Sequence, residues 1–212
     1  MQIMRFWIII LILLMTLVGC TRWDTSSAGK IEREGNKASG VFVSDGFLTS
    51  NHFLESWNKS DPIYVETLYN ETVELKSLLN QGKKLTGKHD WAFFDVDVPE
   101  NILQPKVYCS DVKLDQRVLH VGYPATKNYS VRVEEWGRII SLDVEDSLVG
   151  LTDGSFKGMI MISLGISSGN SGGPVYDESG RLIGIIIAYL RYNHGRSTHA
   201  LMIRVPEFLC ET

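Results

Sequence analysis

Short β-like runs, separated by turn-forming residues, dominate this chain from Ala38 onward. Many of them alternate β-branched or aromatic residues with polar ones, and Gly, Pro, Asn or Asp lie between them. Many short strands without intervening helices predict an all-β barrel or sandwich rather than an α/β sheet. The runs are GVFV, PIYVETL, WAFFDVDV, RVLHVGY, SVRVEEW, RIISLDV, MIMISL, RLIGIIIAYL and ALMIRV.

The composition is that of an ordinary globular protein. The chain has 212 residues, 44% of them hydrophobic and 22% charged, which suits one domain or two small packed halves. A stretch with two prolines and no clear strand, residues 99–116, is predicted to link the halves. The formal net charge of -4 gives no basic footprint, so we expect no nucleic-acid partner.

The N-terminal residues predict export. Arg5 precedes an unbroken apolar run from Phe6 to Met15, which is short for a membrane span and typical of a signal-peptide core. The following Leu17-Val-Gly-Cys20 resembles the bacterial lipobox, in which the cysteine is lipidated and becomes the first mature residue. The alternative is an uncleaved signal anchor with an incidental cysteine.

These features divide the chain and place it in a bacterial cell envelope. We expect a lipid bilayer to hold the protein through acylated Cys20. Since Thr21 and not aspartate follows that cysteine, the periplasmic side of the outer membrane is expected in a Gram-negative host. The predicted segments are a signal peptide (1–19), a lipidated cysteine with a polar tether (20–37) and a folded domain (38–212) with a first half (about 38–105), a linker (about 99–116), a second half (about 117–206) and a C-terminal segment (207–212).

Two further cysteines, Cys109 and Cys210, are too far apart in sequence, and too few without matching histidines, to indicate a zinc site. We therefore expect neither a metal nor a cofactor. In an oxidising compartment the two cysteines form either a disulfide or two buried free thiols, and the residues alone favour neither.

The run GNSGGP, residues 169–174, concentrates glycines around Ser171. Glycine is costly to order, so the run indicates either a tight surface turn or a backbone loop shaped around a nucleophilic serine. It fits the G-x-S-x-G elbow of α/β-hydrolases, but that elbow needs an acid and a histidine downstream. Only 41 residues follow Ser171, and they look like strands, so a base and an acid are expected upstream.

The best upstream candidates are His52 and Asp90. Small polar residues lead to His52 and leave room for a substrate and for the serine. Asp90 stands directly before the apolar run WAFF, where a carboxylate needs a partner to offset its desolvation. The alternative is that Asp90 caps a nearby turn. Asp95 and Asp97 alternate with valines and are expected to face solvent.

In the order His, Asp, Ser, the segments SDGFLTSNHF, DWAFFDV and SSGNSGGPVYDESGRLIGI resemble the motifs of trypsin-like serine peptidases, closest to the bacterial HtrA-type branch. HVGYP and EEWGRIIS resemble the opening strands of that family's second barrel, and the resemblance covers residues 38 to 206. It implies two packed six-stranded antiparallel β-barrels with the active site in the cleft between them. No PDZ domain is expected after Pro206.

The resemblance implies a serine endopeptidase that hydrolyses polypeptides through an acyl-enzyme. Ser171 would be the nucleophile, His52 the base and Asp90 the group that orients the histidine. The N–H groups of Gly169 and Ser171 would form the oxyanion hole. Two alternatives keep the same scaffold: a catalytically silent protein-binding lipoprotein, and an esterase that uses the same triad.

The resemblance also implies a substrate pocket. Its floor would lie near Gly165, and its walls are expected at Ala200 and at Ile187, Ala188 and Tyr189. The pocket would favour an uncharged, small to medium apolar side chain, although His199 at its border could instead read an acidic one. Many relatives carry a hydroxyl that bonds the triad acid at the position of Ile187, so Asp90 is expected to have one partner fewer.

Family resemblance favours the bridged state of the two cysteines. In this family the C-terminal segment packs back near the inter-barrel linker. That packing would bring Cys210 to Cys109.

Overall fold

The computed structural model describes residues 23–33, 35–44, 46–55, 57–58, 61–82, 87–125, 131–144, 156–191 and 197–210. The predicted signal peptide and Cys20 lie outside these residues. Within the described ranges, no helix is both long enough and apolar enough to cross a membrane.

The first half of the fold is a curled antiparallel sheet. Its strands lie in the order β5-β4-β1-β2-β3-β7-β6. They are β1 (Ala28–Arg33), β2 (Asn36–Val43), β3 (Gly46–Thr49), β4 (Ile63–Glu66), β5 (Thr72–Leu75), β6 (Ser77–Gln81) and β7 (Ala92–Asp95).

This half differs in detail from the expected six-stranded barrel. Only Lys76 separates β5, which pairs with β4, from β6, which pairs with β7. The Lys76 N–H donates to the Asp95 carbonyl at 3.0 Å, and the chain bends there from one edge of the sheet to the other. β5 and β6 are therefore two parts of one bent strand. The covalent chain at Lys76, and not hydrogen bonding between β5 and β6, connects the two edges of the sheet.

The second half is a closed barrel. Its strands follow the order β10-β13-β12-β11-β8-β9, and pairing of β9 with β10 closes the circle. The all-β prediction with two packed halves is thus confirmed. The strands are β8 (Arg117–Gly122), β9 (Val133–Ser141), β10 (Ile160–Ile162), β11 (Pro174–Asp177), β12 (Leu182–Arg191) and β13 (Ser197–Arg204).

Three apolar clusters hold the molecule together. One fills the curled sheet around Phe42 and Phe94, and a second fills the closed barrel around Ile139 and Ile186. The third joins the halves, because it contains side chains of the first sheet such as Val41 and Leu48 together with barrel side chains such as Ile185. Burial of this shared surface is the main force that fixes one half against the other.

The tether predicted over residues 20–37 is wrong for its described part. Residues of β1 pair with β2 on one side and with β4 on the other. Thr25, Ser26 and Ser27 are buried, and Ser27 Oγ shares a hydrogen bond of 2.7 Å with Tyr176 Oη in the second half. Hydrogen bonds satisfy these polar groups, so a segment of polar composition is part of the fold.

The linker lies against the second barrel. The Tyr108 N–H donates to the Leu182 carbonyl at 2.8 Å, and the Leu182 N–H donates to the Lys106 carbonyl at 2.9 Å. A disulfide joins Cys109 of the linker to Cys210, with 5.7 Å between the Cα atoms. Cys210 ends a short 3₁₀ helix, Glu207–Cys210, so the bond holds the C-terminal segment on the linker.

Candidate active site

His52 lies just after β3, in a short 3₁₀ helix, Asn51–Leu54. Thr49 and Ser50, which precede this helix, are small and fully buried, and the Thr49 hydroxyl donates to the Ser39 carbonyl at 2.7 Å. The side chain of His52 is 34% exposed. The imidazole therefore stands at the surface on a rigid, buried base.

Asp90 bonds to His52 twice. Its Oδ1 accepts the backbone N–H of His52 at 2.8 Å, and its Oδ2 lies 2.6 Å from the ring Nδ1. Asp90 is only 1% exposed, and its described hydrogen bonds both go to His52. They do not cap a turn, which was the alternative role for this carboxylate. Because a carboxylate only accepts, it holds the proton on Nδ1 and leaves Nε2 able to accept a proton.

The loop around Ser171 takes backbone conformations that only glycine adopts easily. Gly169 has φ +92°, and a Cβ there would lie 2.4 Å from the Ala125 nitrogen. Gly172 has φ +82°, and its Cβ would lie 2.2 Å from the Ser39 oxygen. The glycines thus permit the loop to turn while it packs directly against two other backbone segments.

Two N–H groups of this loop are available for a ligand. Within the described part of the chain, neither the Gly169 N–H nor the Ser171 N–H donates a hydrogen bond. The Asn170 N–H between them donates to the Ser167 carbonyl at 3.3 Å. An unused N–H on the serine itself and a second one two residues before it are what an oxyanion hole requires.

Ser39 supports this loop from the first sheet, and sequence reasoning missed it. Its N–H donates to the Ser171 carbonyl at 2.8 Å, and its Oγ donates to the Gly169 carbonyl at 2.7 Å. The same Oγ accepts the Tyr123 N–H at 2.9 Å. Ser39 is fully buried in β2, and its position in an otherwise apolar run was the available signal.

His120 is a second residue that the sequence did not single out. It is fully buried in β8, with Nδ1 at 3.1 Å from the Pro174 carbonyl oxygen and Nε2 at 3.1 Å from Asn170 Oδ1. Burial lowers the pKa of His120 and outweighs these two contacts, which raise it. The ring therefore contacts the side chain of Asn170, the residue next to Ser171, from a fully buried position in β8.

An open cleft of about 780 Å³ joins these groups. It contains His52, Gly169 and Ser171, and Ile187, Ala188 and Tyr189 form part of its wall. In the described structure no hydrogen bond joins the His52 ring to the Ser171 hydroxyl.

Three residues assigned to the pocket are not part of this described lining. Ala200 is fully buried in the apolar cluster inside the second barrel, which contradicts its assignment to a pocket wall. Gly165 is exposed, and His199 is half-buried on β13 beside Leu190. Across the described ranges, no group of three or more His, Cys, Asp or Glu side chains could hold a metal ion.

A family model described as Trypsin-like peptidase domain matches residues 38–185, which includes His52, Asp90 and Ser171. The chain belongs to the trypsin-like peptidase family. The matched domain is thus of the type found in peptidases, a class of hydrolases.

A curated relative of this trypsin-like chain is also a protease by name. Protease Do-like 8, chloroplastic, of Arabidopsis thaliana is 33% identical over 163 residues, which are 71% of this chain and 34% of that protein. The chain thus spans about a third of that relative's length.

Two solved structures share the fold. One is the HtrA-type protease AlgW with tripeptide, with a TM-score of 0.68 and 22% identity over 88% of this chain and 58% of that one. The other is Rv3671c from M. tuberculosis in an inactive form, with a TM-score of 0.63 and 18% identity over 89% and 85% of the two chains.

Proposed function

We propose that this chain is a serine endopeptidase that works through a covalent acyl-enzyme. The observation that carries the proposal is the pair of hydrogen bonds between buried Asp90 and His52, which lines the same cleft as Ser171. A carboxylate that fixes the tautomer of a surface imidazole next to a glycine-flanked serine is the arrangement that nucleophilic serine catalysis needs.

In this mechanism His52 Nε2 takes the proton of Ser171 Oγ as the oxygen attacks the scissile carbonyl. The new C–O bond gives a tetrahedral oxyanion, which the N–H groups of Gly169 and Ser171 bind. His52 then gives the proton to the leaving amine, and the C–N bond breaks. Water repeats the sequence on the acyl-enzyme, which releases the acid and restores the serine. Asp90 stays ionised and stabilises the imidazolium that forms.

The substrate residue before the scissile bond is proposed to be uncharged, small to medium and apolar. Ile187, Ala188 and Tyr189 line the cleft beside Ser171, and Ile187 is only 5% exposed. His199, which in the alternative would recognise an acidic substrate side chain, lies outside the described lining of the cleft. Peptide libraries varied at this one position would measure the preference directly.

A fluorophosphonate probe tests the proposal. It reacts covalently with an activated serine, so the purified protein should be labelled and the Ser171→Ala variant should not. Equal labelling of both proteins, or of neither, would refute the serine-peptidase mechanism. A peptide substrate separates an endopeptidase from an esterase. An endopeptidase should cleave it, and cleavage should be lost in the Ser171→Ala variant, which the probe does not label.

One observation favours the catalytically silent alternative. The described structure lacks a hydrogen bond from His52 to the Ser171 hydroxyl, and the described bonds of the Asp90 carboxylate all come from His52. Catalytic hydrogen bonds are often long before substrate binds, so we place this alternative second. A folded protein that binds peptides but is never labelled at Ser171 would support it.

We also propose that Cys20 is lipidated and that it anchors the protein to a bacterial envelope membrane. The support is the sequence Leu17-Val-Gly-Cys20 after an apolar core. In cells fed radiolabelled palmitate the protein should incorporate label, and the Cys20→Ser variant should not. Retention of label by the variant would refute the anchor.

A further inference from the structure

Strand β9 carries an apolar stripe on its outer side. Trp136 is 42% exposed, Ile140 is 40% exposed and Leu142, just past the end of the strand, is 39% exposed. Side chains alternate along a strand, so these even-numbered residues share one face, while Gly137 and Ile139 face the barrel interior. We call Trp136, Ile140 and Leu142, together with Arg117 and Arg138, the β9 face.

The first described residues are fastened next to this face. The rings of Trp23 and Trp136 lie 4.9 Å apart between centroids. Thr25 Oγ1 donates to Glu134 Oε1 at 2.8 Å, and Arg132 donates to the Thr25 carbonyl at 3.2 Å. The N-terminal segment therefore reaches the folded domain at the β9 face.

Chain length then limits where a lipid on Cys20 can be. Only three peptide units separate Cys20 from Trp23, and such a segment spans at most about 11 Å when fully extended. The described fold begins at Trp23, so the expected 18-residue tether from 20 to 37 does not keep the domain at a distance. A bilayer that holds Cys20 must approach the β9 face.

The chemistry of the face suits the surface of a bilayer. Tryptophan side chains are enriched at the membrane–water interface, where an apolar ring and a polar N–H are both accommodated. The Arg117 guanidinium lies 4.2 Å from the centre of the Trp136 ring, and Arg138 is exposed between Trp136 and Ile140. Glu134 is paired with Arg132 at 2.6 Å, and Arg138 donates to the Asp115 carbonyl at 2.9 Å. Neither arginine of the face forms an ion pair with a described carboxylate, so both positive charges can attract anionic headgroups.

We propose that the β9 face lies on the bilayer that bears the lipid anchor and fixes the orientation of the domain on it. This inference rests on the proposed lipidation of Cys20. The described lining of the cleft includes no residue of the β9 face, so contact between this face and a bilayer does not use the residues that line the cleft.

Site-specific quenching in the full, lipidated chain tests the orientation. Ile140→Cys and Leu142→Cys variants supply the thiol to be labelled, because Cys20 is acylated and Cys109 is bonded to Cys210. The matched control is Tyr64→Cys, at a side chain of similar exposure, 44%, on β4 of the other sheet. Each protein receives an environment-sensitive fluorophore and is reconstituted in vesicles of phosphatidylethanolamine and phosphatidylglycerol that contain nitroxide-bearing phosphatidylcholine.

We expect the nitroxide lipid to quench the fluorophores at positions 140 and 142 several-fold more strongly than the one at position 64. Equal quenching at all three positions, or stronger quenching at 64, would overturn the proposed orientation. Flotation of the same samples separates the two proposals. Protein that floats without selective quenching refutes the orientation alone, whereas protein that does not float refutes the anchor and the orientation with it.

Discussion

At the scale of single residues, Asp90 has both carboxylate oxygens on His52 and almost no exposure to solvent. In an Asp90→Asn variant the amide presents N–H donors, and the ring would then carry its proton on Nε2, where it cannot accept from Ser171. We expect kcat to fall on the order of 10⁴-fold with the fold intact. Steady-state cleavage of a peptide substrate measures the loss.

The matched control for this change is Asp97→Asn. The Asp97 side chain is 85% exposed and pairs with Lys76 at the surface, where an ion pair contributes little. Its removal should leave kcat unchanged. A large loss with Asp97→Asn and none with Asp90→Asn would mean that Asp90 is not the orienting acid.

We expect Ser39 to position the loop around Ser171, because its hydroxyl joins that loop to Tyr123, just after β8. A Ser39→Ala variant leaves the Gly169 carbonyl and the Tyr123 N–H without this partner in a buried site, at about 1–3 kcal/mol for each unsatisfied group. A loop displaced by even 1 Å loses about 10²-fold in rate. We expect kcat to fall by that amount while KM changes little.

A buried serine elsewhere separates positioning from stability. Ser26 is also buried, and its Oγ accepts the Leu103 N–H at 3.2 Å, away from the loop. Ser26→Ala should therefore reduce stability while kcat stays at the level of the unaltered protein. Equal kcat in the two variants would show that Ser39 acts only through stability.

At the scale of elements, the alternating pattern predicted most strands because their buried faces are apolar. None of the predicted runs covers β1, β3, β5, β6 or β11, and two runs fall on the single strand β9. The buried side chains of β1 include few apolar residues, and its neighbours Ser26 and Ser27 are buried by hydrogen bonding. The partner of Ser27 is Tyr176, 149 residues away, and a local pattern cannot show such a contact. The His52–Asp90 pair was predictable because its motifs are local, whereas the support from Ser39 depends on how two sheets meet.

His120 makes strand β8 sensitive to acid. Burial lowers the pKa of its ring below the ordinary value near 6.5, so the unfolded chain takes up the proton more readily than the folded one. The neutral ring therefore contributes stability that is present above about pH 6.5 and is lost as the pH falls below it. In a His120→Gln variant, we expect the unfolding free energy to decline less steeply between pH 6.5 and 5.

Urea unfolding at a series of pH values checks this expectation. His89→Gln is the control, because His89 is exposed in a short 3₁₀ helix and should leave the pH dependence as it is. An equally steep acid decline in His120→Gln would assign the sensitivity to other groups.

At the scale of the whole molecule, two halves and the first and last described segments form one packed unit. The apolar cluster between the halves includes Ala28 near the N-terminus and Leu209 near the C-terminus. The sequence pattern predicted two halves and a linker, because prolines and a lack of alternation mark residues 99–116. It could not predict which polar ends are packed, since that depends on contacts between distant segments.

The disulfide from Cys109 to Cys210 spans a sequence separation of 101 residues, a segment that contains the whole closed barrel. Closing a loop of that length removes chain entropy from the unfolded state and stabilises the fold by about 4–5 kcal/mol. The C-terminal segment is also held by apolar packing, because the Phe208 ring lies 5.3 Å from both Trp91 and Phe93.

A double variant, Cys109→Ser with Cys210→Ser, should therefore fold with the same cleft but unfold at a lower urea concentration. Urea unfolding measures the loss, and the unaltered protein in reductant should match the variant. Probe labelling of Ser171 below the transition should stay unchanged, because neither cysteine lines the described cleft. Equal unfolding midpoints for the variant and the oxidised protein would show that the bond contributes no stability.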